Sequence, residues 1–480
     1  MRIRVKTAHR YTGRVLRVLT ILVMLSVTAS LARAQPAAND EEQFEFAGMG
    51  TVHVYRDKAR PRYIVLFISG DGGWNRGVID MARALTRLDA LVAGIDIRRY
   101  LKGLATTRQA CDFPAGDLEG LSQYLQKRYN YTDYSRPVII GYSSGATLAY
   151  AALAQAPPGT FRGAISMGFC TELPLTKPLC HGQALREQTN QRGKGYTFIP
   201  SRTLATPWIA FQGTIDQVCP AAAVEAFVAD SGNAELVSLP KVGHGFSVQR
   251  NWLPQFEAAF SRIVGTEGPR PASGEAGLAD LPLIEMPSNG SGDSLAVIVS
   301  GDGGWAGIDR SVAESLAADG VAVVGLDSLH YFWHPRSPEG AARDLGRIIE
   351  HYTSAWHRRR VLLIGYSRGA DVLPFMLNRL DATAHQRIAL LALIGGERTT
   401  DFEFRLSDWL PGSREARYQV LPEVNAIRNT RLLCVYGTDE VHSLCPDLDA
   451  RRFEVLQLPG GHHFAGDYKR LAENIVKAAR

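Results

Sequence analysis

Two serines sit where a serine can become a nucleophile. Ser143 lies in Gly141-Tyr142-Ser143-Ser144-Gly145, and Ser367 lies in Gly365-Tyr366-Ser367-Arg368-Gly369. Each follows a short apolar run and precedes a stretch with helical spacing. A Gly-x-Ser-x-Gly in that context reads as a sharp strand-to-helix turn that presents the hydroxyl, its glycines keeping other side chains clear. A serine hydroxyl is a poor nucleophile without a base beside it. A histidine follows each serine at a distance, in Gly243-His244 and in Gly461-His462. Between serine and histidine, after an apolar run, stands an acid: Asp216 in Gly213-Thr214-Ile215-Asp216, and Asp439 or Glu440 in Gly437-Thr438-Asp439-Glu440. By register Glu440 matches Asp216 and His462 matches His244, with Asp439 and His463 as the neighbouring alternatives. Serine, then acid, then histidine is the chain order of one known arrangement for acyl transfer.

Such chemistry also needs donors for the oxyanion. One backbone N–H comes from the residue after the nucleophile, Ser144 or Arg368. The other is expected from a glycine-rich loop after the first strand. Ser69-Gly70-Asp71-Gly72-Gly73-Trp74 and Ser300-Gly301-Asp302-Gly303-Gly304-Trp305 are such loops, which places the second donor near Asp302 and Gly303. A phosphate-binding loop is the weaker reading. The spacing is not Gly-x-Gly-x-x-Gly, no lysine follows, and the aspartate repels phosphate.

These motifs occur twice in the same order. Glycine-loop, Gly-x-Asp with a following tyrosine, Gly-Tyr-Ser, Gly-Thr and Gly-His-x-Phe or Gly-His-His-Phe recur at an offset of about 220–230 residues. Five motifs in register imply a tandem duplication. Within each copy, apolar runs alternate with helical spacing: strands at 63–68, 90–97 and 137–140, helices at 78–88 and 146–154, and strands at 295–299, 321–326 and 360–364 in the second copy. Strands alternating with helices predict a mostly parallel sheet flanked by helices. In such sheets chemistry gathers at the carboxyl ends of the strands, where every repeated motif falls. The predicted fold is therefore α/β, with tandem α/β-hydrolase domains at 35–264 and 295–480. A linker rich in Gly, Pro, Ser and Ala is predicted over 265–294.

The formal charge of +5 is concentrated at the amino terminus. Seven Lys and Arg and no acid lie in the first 34 residues, so the remainder is close to neutral and nucleic acid is not an expected partner. That basic stretch precedes an apolar run, Val18 to Ala32, and Ala32-Arg33-Ala34, which reads as a cleaved secretory signal over residues 1–34. Six cysteines fit an oxidising compartment. Cys434 and Cys445 bracket one loop and Cys170 and Cys180 another, and each pair is expected to be joined. No cysteine pair has zinc-ligand spacing with histidine, so neither a metal nor another cofactor is expected.

Ser300–Trp305, Leu326-Asp-Ser-Leu-His-Tyr-Phe-Trp333, Gly365-Tyr-Ser-Arg-Gly-Ala-Asp371 and Gly461-His-His-Phe464 together resemble the VirJ/AcvB family. The resemblance covers the second copy most closely and extends to the whole two-copy chain. It implies a periplasmic hydrolase that releases lysine and phosphatidylglycerol from lysyl-phosphatidylglycerol at the outer face of the inner membrane. It also implies a connection to virulence and type IV secretion, hence secretion-system proteins as partners. A lysyl ester carries two ammonium groups, and carboxylates pair with them through charge-assisted hydrogen bonds. Asp371, one turn beyond Ser367, is the expected partner; the first copy has Thr147 there. Tyr331 and Trp333 follow a strand end beside the site and are expected to contact lipid or head group, with core packing as the alternative. Two other functions compete: a general carboxylesterase, and a non-enzymatic periplasmic factor that assists secretion.

Overall fold

The first sheet begins earlier than the motifs suggest, with an antiparallel hairpin of β1 (Glu42–Phe46) and β2 (Gly50–Tyr55). The strands that follow are β3 (Tyr63–Ile68), β4 (Ala90–Ile95), β5 (Val138–Tyr142), β6 (Gly163–Met167), β7 (Trp208–Gly213) and β8 (Ala234–Leu239). They order as β1-β2-β4-β3-β5-β6-β7-β8, with all pairs after β2-β4 parallel. This computed structural model describes residues 41–480 apart from 108–109, 183, 191–192, 266–276, 289, 291, 306 and 410–415. The expected signal at 1–34 lies outside the described residues. Among the described residues no helix is long and apolar enough to cross a membrane.

The second sheet repeats the scheme with one strand fewer: β9 (Leu283–Met286), β10 (Ser294–Val299), β11 (Ala322–Leu326), β12 (Arg360–Tyr366), β13 (Ile388–Ile394), β14 (Arg431–Gly437) and β15 (Glu454–Leu458). Their order is β9-β11-β10-β12-β13-β14-β15, with only β9 antiparallel. The parallel strands are near-continuous apolar runs because both faces are covered. Each sheet carries an apolar core on either side. Two sheets of this order, with a serine after the fifth strand of the first and its counterpart in the second, make tandem α/β-hydrolase folds. The predicted linker needs correction at its carboxyl end. Leu278, Leu281 and Leu283 are buried in the second core, and β9 pairs with β11, so residues from about 278 belong to the second copy. A single short edge strand carries too few residues for its periodicity to show in the sequence.

Two excursions interrupt the alternation at equivalent places. Between β6 and β7 a three-stranded sheet forms from Glu172–Leu173, Tyr196–Phe198 and Glu187–Thr189. Between β13 and β14, Thr399–Thr400 pairs with Tyr418–Gln419. The cysteines follow this geometry. Cys434 and Cys445 are joined as expected, with Cα atoms 5.6 Å apart. Cys170 is not joined to Cys180: it pairs with Cys219, and Cys111 pairs with Cys180. Sheet adjacency explains the correction. Cys170 and Cys219 lie beyond the ends of neighbouring parallel strands β6 and β7. Cys111 and Cys180 flank a short backbone bridge, where Asp112 N donates to Pro178 O and Cys180 N donates to Asp112 O.

Candidate active site

The two serines occupy a backbone conformation that a non-glycine residue adopts only when its surroundings impose it. Ser143 has φ 54° and ψ −123°, and Ser367 has φ 53° and ψ −120°. The flanking glycines permit this. A Cβ on Gly145 would lie 2.3 Å from Ser69 O, and one on Gly369 would lie 1.9 Å from Val299 O. The elbow thus presses against the end of the first central strand, and the start of the following helix points at the serine. In both copies the tyrosine of the elbow reaches the histidine loop: Tyr142 OH donates to His244 O (3.0 Å) and Tyr366 OH to His462 O (3.2 Å). The motif Gly-Tyr-Ser repeats in the sequence, but nothing there signals this tether.

In the first copy the relay is closed. Ser143 Oγ and His244 Nε2 are 2.9 Å apart, and His244 Nδ1 and Asp216 Oδ2 are 2.8 Å apart. The other oxygen of Asp216 accepts from Val218 N (2.8 Å) and Cys219 N (3.0 Å). Burial works to raise the Asp216 pKa, but hydrogen bonds from Cys219 N, His244 and Val218 N outweigh it and hold the group below its ordinary value. Ligand atoms of Asp216, Cys219 and His244 lie within 4.8 Å of one another. The cysteine sulfur is bonded to Cys170, so it offers no thiolate to a metal.

In the second copy the base and acid are paired and the serine stands apart. His462 Nδ1 lies 2.5 Å from Glu440 Oε1, and Glu440 Oε2 accepts from Gly437 N at 2.6 Å. Burial raises the Glu440 pKa, while His462 and Gly437 N lower it further than burial lifts it. Among the described residues no hydrogen bond joins Ser367 Oγ to His462. Asp439 is exposed and turns to Thr438 Oγ1, so Glu440 is the acid that meets the histidine. His463 packs between the Tyr366 and Phe113 rings. Burial pushes it down to about 4, and it lies away from the relay as a neutral ring.

The glycine loops are built alike. Gly73 N donates to Gly70 O (2.8 Å) and Gly304 N to Gly301 O (3.0 Å), closing tight turns at φ near +73° and +72°. The loop aspartate then clasps the residue after the nucleophile: Asp71 Oδ1 accepts from Ser144 Oγ at 2.6 Å, and Asp302 pairs with the Arg368 guanidinium. This clasp fixes the two expected oxyanion donors relative to each other. Arg368 goes further than Ser144. Its Nη1 donates to Asp401 O (2.9 Å) and its guanidinium covers the Phe404 ring (4.2 Å), tying the second copy's excursion to its elbow.

The expected substrate contacts fare unequally. Asp371 is buried beside the elbow, where Oδ1 accepts from Glu397 N at 2.6 Å, and burial drives its pKa well above the usual carboxylate range. Tyr331 and Trp333 are core residues, which corrects the substrate-contact expectation. Tyr331 is fully buried and donates to Asp344 Oδ2 (2.7 Å). Trp333 is 3% exposed; its Nε1 donates to Tyr131 O (3.0 Å) and its ring lies under Lys127 Nζ (4.2 Å). Both contacts of Trp333 come from the first copy. The helix Pro114–Arg128 runs along this junction, where Gln123 Nε2 donates to Asp302 O and Glu119 lies against Gly303.

Among solved structures, the esterase Est1E from Butyrivibrio proteoclasticus is similar at 13% identity, covering 47% of this chain and 99% of its own, with a TM-score of 0.33. A serine hydrolase homologue from Coxiella burnetii is similar at 18% identity, covering 48% and 99%, with a TM-score of 0.32. Esterase 2 of Thermogutta terrifontis, phosphonylated by sarin, is similar at 16% identity, covering 49% and 99%, with a TM-score of 0.33. No curated protein matches the chain in sequence. The pattern of the VirJ family, described as "Bacterial virulence protein (VirJ)", matches residues 62–168 and 293–480. The first match holds Ser143 and stops before Asp216 and His244; the second holds the Ser300 loop, Ser367, Glu440 and His462. With more than half of its length matched, the chain belongs to the VirJ family.

Proposed function

We propose that this protein is an exported serine ester hydrolase whose second copy cleaves the aminoacyl ester of lysyl-phosphatidylglycerol at the periplasmic face of the inner membrane. The observation that carries the reading is the Ser367 elbow, strained and backed by the His462–Glu440 pair within the segment matched by the family. Ser367 Oγ attacks the lysyl carbonyl while His462 Nε2 takes its proton. Backbone N–H groups near Asp302-Gly303 and at Arg368 hold the oxyanion. His462 then returns the proton to the departing glycerol oxygen, and water, deprotonated by the same histidine, releases lysine from Ser367. Hydrogen bonds of this kind tighten in the substrate complex, so the open Ser367–His462 pair is compatible with the role. Carboxylates around the site support a cationic acyl group. Asp371 faces the same loop as Glu397, and an arriving ammonium would draw its buried carboxyl into the ionised form. Three disulfides among the described residues suit a periplasmic location. Secretion-system proteins remain expected partners on the family's account.

A second reading, a general carboxylesterase, is favoured by the first copy. Its relay is already closed, and the loops bearing Asp216 and His244 expose Ile215 (60%), Val218 (64%) and Val248 (45%), a rim suited to uncharged acyl groups. The test is lysine release from lysyl-phosphatidylglycerol vesicles, run beside hydrolysis of a neutral p-nitrophenyl ester. Ser367→Ala should lower lysine release on the order of 10³-fold or more. Ser143→Ala should instead remove most neutral-ester turnover. Lysine release that survives Ser367→Ala and is lost in Ser143→Ala would assign the lipid chemistry to the other copy.

A further inference from the structure

The junction of the two copies encloses a cavity of about 950 Å³ whose walls come from both. Arg60, Arg62, Arg136 and Arg162 line it from the first copy, and Arg310 and His330 from the second. Among its twenty lining residues Asp133 is the one acid. With 53 Lys and Arg in 480 residues, an average set of twenty would hold about two. The arginines are scattered over 250 residues of sequence, so no local run announces them; the fold gathers them. The chain beyond its first 34 residues is near neutral, so the concentration does not follow from a generally basic surface.

The arginines divide by what already holds them. Arg62 covers the Tyr63 ring, and Arg162 donates to Val264 O at 3.0 Å. His330 Nδ1 is 3.0 Å from Asp327, which fixes that ring at the cavity wall. No hydrogen bond or ion pair engages the side chains of Arg60, Arg136 and Arg310 among the described residues. Three guanidinium groups without partners, facing one concavity, repel one another and favour a bound anion. Planar guanidinium forks match the paired oxygens of a phosphate. Ser135 also lines the wall, while Tyr131 OH donates to Pro61 O (2.6 Å) and Asn233 Nδ2 to Ala205 O (2.6 Å), so the arginines carry the recognition.

We propose that this cavity is a binding site for a phosphate-bearing anion, distinct from both serine sites. The chemistry fits two sources, the head group of an anionic phospholipid and a free phosphate or pyrophosphate. The proposal does not depend on the Ser367 reaction, and its test reads binding alone.

The full chain is titrated with inorganic phosphate and with pyrophosphate by calorimetry. It is also mixed with vesicles of phosphatidylcholine, with and without phosphatidylglycerol, in a flotation assay. The variants are Arg136→Gln, Arg310→Gln, the double variant with both, and Arg451→Gln as a charge-matched control outside the cavity. Each cavity substitution should weaken binding about ten-fold or more, and added salt should weaken it further. Arg451→Gln should bind as the parent does, which separates a site from a change of net charge. Phosphate or pyrophosphate binding without vesicle binding identifies a small-anion site. Vesicle binding that needs phosphatidylglycerol and is lost in the double variant identifies a lipid site. If the parent binds none of these, or if the double variant and Arg451→Gln bind as the parent does, the cavity is not an anion site. A circular dichroism melt of each variant shows whether any loss reflects unfolding.

Discussion

The first copy holds its serine, histidine and aspartate in one hydrogen-bonded line, whereas the second holds only histidine and glutamate together. The frames that carry them are the same: equal elbow angles, equal glycine turns and the same tyrosine tether. What differs is the surrounding matter. Asp216 is short and is locked by two backbone donors from its own loop, so its histidine has one place to go. Glu440 has one more methylene and a single backbone donor. Around Ser367, Arg368 ties the excursion down and the first copy's Pro114–Arg128 helix presses on the glycine loop. The first site is therefore pre-formed, with its histidine and acid more deeply buried than those of the second. In the second, His462 is more exposed than His244, and Asp302, Asp371 and Glu397 bring carboxylates to the elbow. A duplicated frame has kept the chemistry that any acyl transfer needs and changed the walls that choose the ester.

The largest effect that sharpens this comparison comes from the acids. Glu440→Gln and Asp216→Asn keep the shape of the side chain and remove its charge. Each should lower kcat at its own site by up to about 10⁴, because the histidine loses its orienting partner and the stabilisation of its charged form. Asp439→Asn should stay within about two-fold of the parent, as expected for an exposed group outside the relay. On the proposed reaction, lysine release reads the second site, and the rate of fluorophosphonate labelling, mapped to the Ser143 peptide, reads the first. Equal losses in Asp439→Asn and Glu440→Gln would overturn the choice of acid.

A smaller effect separates the disulfides that serve the two acid loops. Cys170–Cys219 spans 49 residues and ends three residues after Asp216; Cys434–Cys445 spans 11 and brackets Glu440. On the chain-entropy account, loops of these sizes differ, with about 4 kcal/mol lost on opening the longer and about 3 kcal/mol on opening the shorter. Denaturant melts of Cys170→Ser with Cys219→Ser, and of Cys434→Ser with Cys445→Ser, should rank in that order. A reversed order would mean that local strain, not loop length, decides how each acid is held.

Much of this frame was legible because its signals are local. A strand, a Gly-x-Ser-x-Gly and a helix follow one another within about twenty residues, and the duplication showed each motif twice. Glu440 was legible from register with Asp216. What escaped depends on contacts between distant segments. Cys170 and Cys180 are close in sequence, but their partners are set by strand adjacency across the sheet. Tyr331 and Trp333 looked like site aromatics because they follow a strand end beside the serine. Trp333 is held by the first copy's Tyr131 and Lys127, about 200 residues away, and Tyr331 by Asp344 on a later helix of its own copy. The arginines of the junction cavity carry no local pattern at all.

The smallest effect concerns Glu119, where the first copy touches the second copy's glycine loop. Both of its carboxylate oxygens lie 3.3 Å from the place a Cβ on Gly303 would occupy, and Oε1 is buried without a hydrogen-bond partner. Burial, and then the charges of Asp302 and Asp327, push its pKa up from 4.5 to about 8. A carboxyl whose pKa is higher in the folded than in the unfolded chain binds its proton more tightly when folded. Its contribution is therefore fully present below about pH 4.5 and is lost as pH rises towards 8. Glu119→Gln carries no charge at any pH and escapes that loss. The variant should melt close to the parent at pH 5 and above it at pH 8. A gain on the order of 1–2 kcal/mol, discounted for the part of the side chain that reaches solvent, corresponds to a few degrees in Tm. Thermal melts of the full chain across this range test the sign directly. A difference that stays flat with pH, or that favours the parent at pH 8, would mean that the carboxylate is ionised and satisfied at the junction. The first copy would then be holding the second copy's oxyanion loop by charge, and not by a neutral, protonated contact.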